Sequence, residues 1–227
     1  MIKQLTIRPV SEADTAALLK IYSPYVENTA VSFEYSTPSE AEFRERIRTI
    51  SRNYPYLVAE TDPSLQRSGS AGVLLSAAGA YSPRRQHSDA AGTGLQVAGY
   101  AYASPFKERE AYRHCAEVSI YIDPRFHRMG LGKALYRELE RYLLAQNVFT
   151  VYACIAVPDE TDEYLTDDSE RFHAKMGYRT VGRYDRCGYK FGRWHNMIWM
   201  EKEIGEKPEK PEDFIPFSRL TADPDRS

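Results

Sequence analysis

The stretch His127-Arg128-Met129-Gly130-Leu131-Gly132-Lys133-Ala134-Leu135 sets two glycines and two cations where a strand passes into a helix. Glycine lets the backbone approach a ligand closely. The first N–H groups of a helix point outward at its positive dipole end, which favours phosphate. Arg128 and Lys133 add charge. The spacing is not a Walker loop, and a third glycine for a dinucleotide fingerprint is missing. An ordinary glycine-containing turn is the competing reading. A second candidate is Glu117. In the strand around it, Val118, Ile120 and Ile122 face one side, and Glu117, Ser119 and Tyr121 the other. A carboxylate in a central strand is costly unless it is paired or functional. Partial burial would raise its pKa toward the working pH. A structural ion pair is the alternative.

These residues need elements to hold them. Leu5 to Arg8 reads as a strand, followed by a helix with Ser11 as N-cap and Asp14 near its positive end. Thr37 as cap, Pro38 at the first helical position and Glu40 closing a capping box predict a second helix, with Phe43, Ile47 and Ile50 inside. Strands are predicted at Tyr56 to Glu60, Val97 to Ala103, Ala116 to Ile122 and Phe149 to Val157. Two more are predicted near Arg179 to Cys187 and Asn196 to Glu203. Amphipathic spacing predicts helices over Gly132 to Asn147 and Ser169 to Met176, the latter ended by Gly177. From Thr61 to about Gln96 small residues dominate, which reads as a flexible insertion between two strands. The tail from Gly205 carries four prolines among charges and reads as extended or disordered. The element order predicts an α/β protein, a mixed sheet with helices on both faces. We expect one domain over residues 1–204, with the insertion at 61–96 and the tail at 205–227.

Composition removes several classes of function. A formal net charge of −2 gives no electrostatic footprint for nucleic acid or an anionic membrane. Cys115, Cys154 and Cys187 lack CxxC spacing, so they read as reduced thiols rather than metal ligands. No stretch approaches the ~20 apolar residues of a membrane span. The first residues lack the apolar core of a signal peptide, which predicts a cytoplasmic protein.

Strand, Arg/Gln-x-x-Gly-x-Gly/Ala, then helix is the pyrophosphate-binding element of the GNAT acetyltransferases, and this chain resembles that superfamily through its ordered length. It looks closest to the branch that acetylates phosphinothricin and methionine sulfoximine. The matching stretches are Val31-Ser32-Phe33-Glu34, Tyr54-Pro55-Tyr56-Leu57-Val58-Ala59-Glu60, Ala98-Gly99-Tyr100-Ala101-Tyr102-Ala103 and Glu117-Val118-Ser119-Ile120-Tyr121-Ile122. Pro105-Phe106-Lys107-Glu108-Arg109-Glu110-Ala111-Tyr112-Arg113 and Gly188-Tyr189-Lys190-Phe191-Gly192-Arg193-Trp194-His195 match as well. Two places depart. His127 stands where the family has Gln or Arg. After the apolar strand, Pro158 and Asp159 are separated from Ser169 by Glu160 to Asp168, where the family has a short Pro-Asn-x-x-Ser.

The resemblance implies a mostly antiparallel twisted sheet and an acetyl-CoA-dependent N-acetyltransferase, without a metal, acting on the primary amine of an amino-acid-like molecule. It places the general base at Glu117 and a donor to the leaving thiolate at His173. It assigns acetyl-CoA to Ile120, Tyr121 and Ile122 and to Arg128, Met129, Gly130, Leu131, Gly132 and Lys133. Lys175 is added, and Asp159 takes the place of the pantetheine-binding Asn. The amine falls to Phe33, Glu34, Phe106, Lys107, Arg109, Tyr112, Val118 and Ser119. Arginine recognises carboxylate bidentately, which suits Arg109, with Lys107 the other candidate. Trp194 and His195 fit either a pocket or a packing role. A homodimer follows from the resemblance alone. Two rival readings stay open: a relative that acetylates a protein N-terminus, a polyamine or an aminoglycoside, and a non-catalytic acetyl-CoA sensor.

Overall fold

In a computed structural model of the chain, residues 5–65 and 94–222 are described. The body of the 61–96 insertion therefore lies outside the described residues.

The elements run β1 (Leu5–Pro9), α1 (Thr15–Asn28), α2 (Glu40–Asn53), β2 (Tyr56–Thr61), β3 (Gln96–Pro105) and β4 (Cys115–Ile122). They continue with α3 (Leu131–Ala145), β5 (Thr150–Val157), α4 (Asp168–Lys175), β6 (Arg179–Lys190), β7 (Arg193–Glu203) and α5 (Phe217–Ala222). The seven strands form one sheet in the order β1-β2-β3-β4-β5-β7-β6. Every neighbouring pair is antiparallel except β4 and β5. Leu18, Tyr22 and Val26 of α1 and Phe43 and Ile47 of α2 pack on one face with Tyr56, Val58 and Tyr100. Leu131, Leu135, Leu139 and Leu143 of α3 pack on the other with Leu57, Val118, Val151 and Ile198. Alternation along each strand thus supplies two cores at once.

The N-cap of α2 is Ser39, two residues later than expected. The Ser39 hydroxyl accepts from Glu42 N–H at 3.2 Å, and the Glu42 carboxylate accepts from Ser39 N–H at 2.7 Å. Pro38 lies outside the helix. The Thr37 hydroxyl donates to Glu27 at 2.8 Å and lies two residues before the cap.

Part of the tail docks on the domain. Gln146, fully buried, donates to the carbonyls of Asn53 at 2.6 Å and Ile215 at 2.7 Å. Ile215 N–H returns a bond to Gln146 O at 3.2 Å. Phe214 packs on Tyr54, Phe217 meets Tyr142 edge-on, and Phe217 and Leu220 are buried. Burying each such side chain is worth about 1.5–3 kcal/mol, which outweighs the composition of the linker before it.

Candidate active site

The sheet opens at its centre. The β4–β5 ladder runs from Cys115/Thr150 to Glu117/Tyr152 and stops, although β4 continues to Ile122 and β5 to Val157. Hydrogen-bond alternation shows what the opening exposes. Asp123 N–H donates to Ala98 O at 2.9 Å, across to β3. Counting back in twos, Tyr121, Ser119 and Glu117 also face β3. Val118, Ile120 and Ile122 therefore turn their N–H and C=O groups into the gap. At Ile122 the carbonyl is closed off by the Tyr25 hydroxyl at 2.5 Å and His127 Nε2 at 3.0 Å. His127 is thus turned inward to brace the end of β4, not toward a phosphate. Ser119, Ile120, Tyr121, Tyr136, Cys154, Ile155 and His173 are among the residues lining the gap.

At one end of the gap the chain turns into α3. Arg128 and Gly130 have φ of 62° and 87°, in the left-handed region. No atom lies within 4 Å of where a Gly130 Cβ would sit, so this glycine serves the backbone turn. A Gly132 Cβ would meet the Phe172 ring at 3.0 Å and Ile120 at 3.4 Å, so the second glycine serves the approach of α4 to α3. Gly130 is the N-cap and offers no side-chain oxygen, which leaves the first N–H groups of α3 free of a side-chain cap. Lys133 and Arg128 are exposed around this end, Leu131 is buried, and Met129 packs on the core. Lys175 lies exposed at the last turn of α4. This open helix start beside an open strand edge can hold a pyrophosphate and the amide-bearing arm attached to it.

Glu117 stands on the last rung of the β4–β5 ladder, and its register partner Tyr152 faces the same side. Burial raises its pKa above the ordinary carboxylate value, opposed by the positive charge of Lys107. Phe106 stacks on Tyr152 at 4.1 Å and meets the edge of Trp199 at 5.5 Å. The Lys107 ammonium lies over both Phe106 (4.8 Å) and Trp199 (5.1 Å). Tyr112 packs edge-on against Phe106 at 5.9 Å. Ser119 is hydrogen-bonded to Tyr102, which also feels the Glu117 charge. A carboxylate of raised pKa thus stands beside aromatic rings and one cation, an arrangement that fits an apolar side chain ending in an anionic group.

His173 is 4% exposed and enclosed by the core. Its Nδ1 lies 2.7 Å from Ser169 O, which can only accept, so Nδ1 carries the proton. Nε2 therefore accepts from the Tyr136 hydroxyl at 2.9 Å. Burial lowers the pKa to about 4. The imidazole is neutral near pH 7 and its one proton is committed to the backbone, so it has none to donate into the gap.

The remaining expected residues divide. Phe33 packs against Gly188 and His195. Glu34 is paired with Arg46 at 2.6 Å, and both charges reach Tyr102. Arg109 is exposed on the segment after β3. Asp159 accepts from Arg183 at 2.8 Å and Asn196 at 2.7 Å, so that one oxygen of the proposed pantetheine contact is already engaged. Sequence reasoning missed Arg46, Tyr136, Tyr152 and Trp199. Tyr152 and Trp199 are the large outward members of strands whose alternate residues are core, a signal that alternation could have supplied. Arg46 carries no such signal.

A profile of the acetyltransferase (GNAT) domain matches residues 95–199. The phosphinothricin N-acetyltransferase of Streptomyces viridochromogenes is 30% identical over 218 residues, covering 96% of this chain and 97% of that protein. The L-methionine sulfoximine/L-methionine sulfone acetyltransferase of Pseudomonas aeruginosa is 26% identical, covering 88% and 94%. Among solved structures, the phosphinothricin acetyltransferase of Sinorhizobium meliloti in complex with AcCoA superposes with a TM-score of 0.71 at 31% identity, covering 96% and 98%.

Proposed function

The chain belongs to the GNAT acetyltransferase family, and on that premise we propose that it moves an acetyl group from acetyl-CoA to the primary amine of a small amino-acid-like molecule, with Glu117 as the base. The observation that carries this is the rise in the Glu117 pKa at the mouth of the β4–β5 gap, within an aromatic wall.

Acetyl-CoA supplies an acetyl group as a thioester, already activated toward an amine. The start of α3 from Gly130 to Lys133 binds its pyrophosphate, with Arg128 at the rim. The gap-facing groups of Val118, Ile120 and Ile122 line its arm, and the Ile120 N–H polarises the thioester carbonyl. Glu117, ionised above its raised pKa, takes the ammonium proton directly or through water. The Tyr136 hydroxyl proton is itself donated to His173 Nε2 at 2.9 Å, so neither group offers a free proton to the leaving sulfur, which takes one from water in the open gap. Cys154 faces Glu117 across the gap, and desolvation with the Glu117 charge pushes its thiol up to about 12. It stays protonated, which supports direct transfer over an acetyl-cysteine route.

Phe106, Tyr152 and Trp199 receive the apolar part of the substrate and Lys107 its anionic end. Arg109 and Tyr112 border that pocket, and the segment carrying Phe33 and Glu34 closes it from the α1 side. An aromatic-and-cation pocket favours methionine or glutamate analogues over polyamines and aminoglycosides. We also propose a homodimer: Val181, Tyr184, Tyr189 and Trp194 are exposed along the β6–β7 edge of the sheet. Three unpaired thiols support a cytoplasmic setting.

The test incubates the protein with acetyl-CoA and an amine panel and follows release of free thiol. Release with phosphinothricin, methionine sulfoximine or methionine sulfone is the expected result. Release only with spermidine or an aminoglycoside would overturn the substrate class. Acetyl-CoA binding without release on any amine would favour the sensor.

A further inference from the structure

The turn between β6 and β7 has no part in the chemistry assigned above, yet it touches the segment after α1 at several points. Lys190 is 3% exposed. Its ammonium donates to the carbonyls of Val26 at 2.7 Å, Thr29 at 2.9 Å and Ser32 at 2.6 Å. Three donors meet three acceptors, so the side chain is fully matched. Val26 lies in the last turn of α1, where carbonyls lack helical partners and a cation is favoured. Thr29 and Ser32 lie beyond the helix, on the segment leading to Phe33 and Glu34. His195 holds Lys190 in turn, its Nε2 donating to Lys190 O at 3.0 Å. The Tyr35 hydroxyl donates to Tyr189 O. Phe33 lies so close over Gly188 that a Cβ there would run into its ring. Both ends of the Phe33–Glu34 pair are therefore tied to one hairpin.

We propose that Lys190 is a positioning residue for amine recognition: by gathering three carbonyls of the 26–32 segment it sets where Phe33 and Glu34 stand, and the β6–β7 turn thereby tunes affinity for the amine. A purely apolar anchor could bury the same surface, but it could not fix the positions of three separate carbonyls, because apolar contacts are not directional. The inference rests on the proposed placing of the amine beside Phe33 and Glu34.

The test compares Lys190→Met, Lys190→Arg, Gly188→Ala and Phe33→Ala with the wild type, using methionine sulfone and acetyl-CoA in steady-state kinetics. Lys190→Met should raise the KM for methionine sulfone by about tenfold or more and leave that for acetyl-CoA within about twofold. Lys190→Arg, which keeps a buried donor, should recover part of that loss. Gly188→Ala keeps the ammonium and pushes on Phe33, so it should shift the same constant even if Lys190→Met does not fold. An unchanged amine KM in Lys190→Met, or in Gly188→Ala where the first does not fold, overturns the proposal if Phe33→Ala does raise it. Equal rises for both substrates would mark general loosening and overturn it too. If Phe33→Ala has no effect, the amine-site reading is what fails.

Discussion

Glu117 and Tyr152 are partners on the last rung before β4 and β5 separate. The rung fixes where the carboxylate stands, and the separation beyond it lets a ligand reach that carboxylate from the gap side. The placing of the carboxylate and the opening arise from one structural event.

Glu117→Gln should lower kcat by about 10²–10⁴, the usual contribution of a positioned base, with the Kd for acetyl-CoA unchanged by calorimetry. Retained turnover would remove Glu117 from the chemistry. Its raised pKa also fixes a pH dependence. A base works deprotonated, so kcat/KM should fall with acid along a limb centred above the ordinary glutamate range. The linkage sign is opposite to that of a paired carboxylate. A folded pKa above the unfolded one makes the ionised form unfavourable in the fold at neutral pH, so Glu117→Gln should raise the Tm there and lose that advantage as pH falls through the folded pKa.

His173 should titrate near 4 in ¹⁵N NMR spectra, with the proton on Nδ1 throughout the neutral range. Its folded pKa is below the unfolded value, so it contributes stability fully present above about 6.5, which is lost as pH falls toward 4. A midpoint near 6.5 would contradict the burial described. Tyr136→Phe would leave the buried His173 Nε2 without its donor and should lower the Tm, and an unchanged Tm would contradict the bond described.

The two glycines should fail in different ways. Gly130→Ala forces a side chain into a left-handed turn, costing about 1–2 kcal/mol, and should raise the KM for acetyl-CoA. Gly132→Ala drives a methyl toward Phe172 and should chiefly lower stability. Identical effects on stability and KM would mean that the structure assigns them wrongly.

A chain ending at residue 212 should lose about 2–5 kcal/mol in urea unfolding, because Phe214, Phe217 and Leu220 leave the core and Gln146 loses a partner. An unchanged midpoint would show that the tail packing contributes nothing.

The sequence alone determined what depends on near neighbours. Alternation along 115–122 set Glu117 and Val118 on opposite faces, the glycines and cations after His127 marked a helix start suited to phosphate, and Gly177 ended α4 at a φ of 91°. The α2 cap stands at Ser39 because Ser39 and Glu42 satisfy each other's backbone N–H groups. The tertiary structure decided what depends on desolvation and on distant partners. His173 became neutral because Tyr136 and the core enclosed it. The tail docked because Gln146, buried at the end of α3, needed acceptors. The gap between β4 and β5, the wall of Phe106, Tyr152 and Trp199, and the hold of Lys190 on Val26, 164 positions away, unite segments that no local pattern connects. Periodicity and capping are set within a few residues of chain, whereas a carboxylate's pKa or a lysine's acceptors are set by whatever the fold brings alongside.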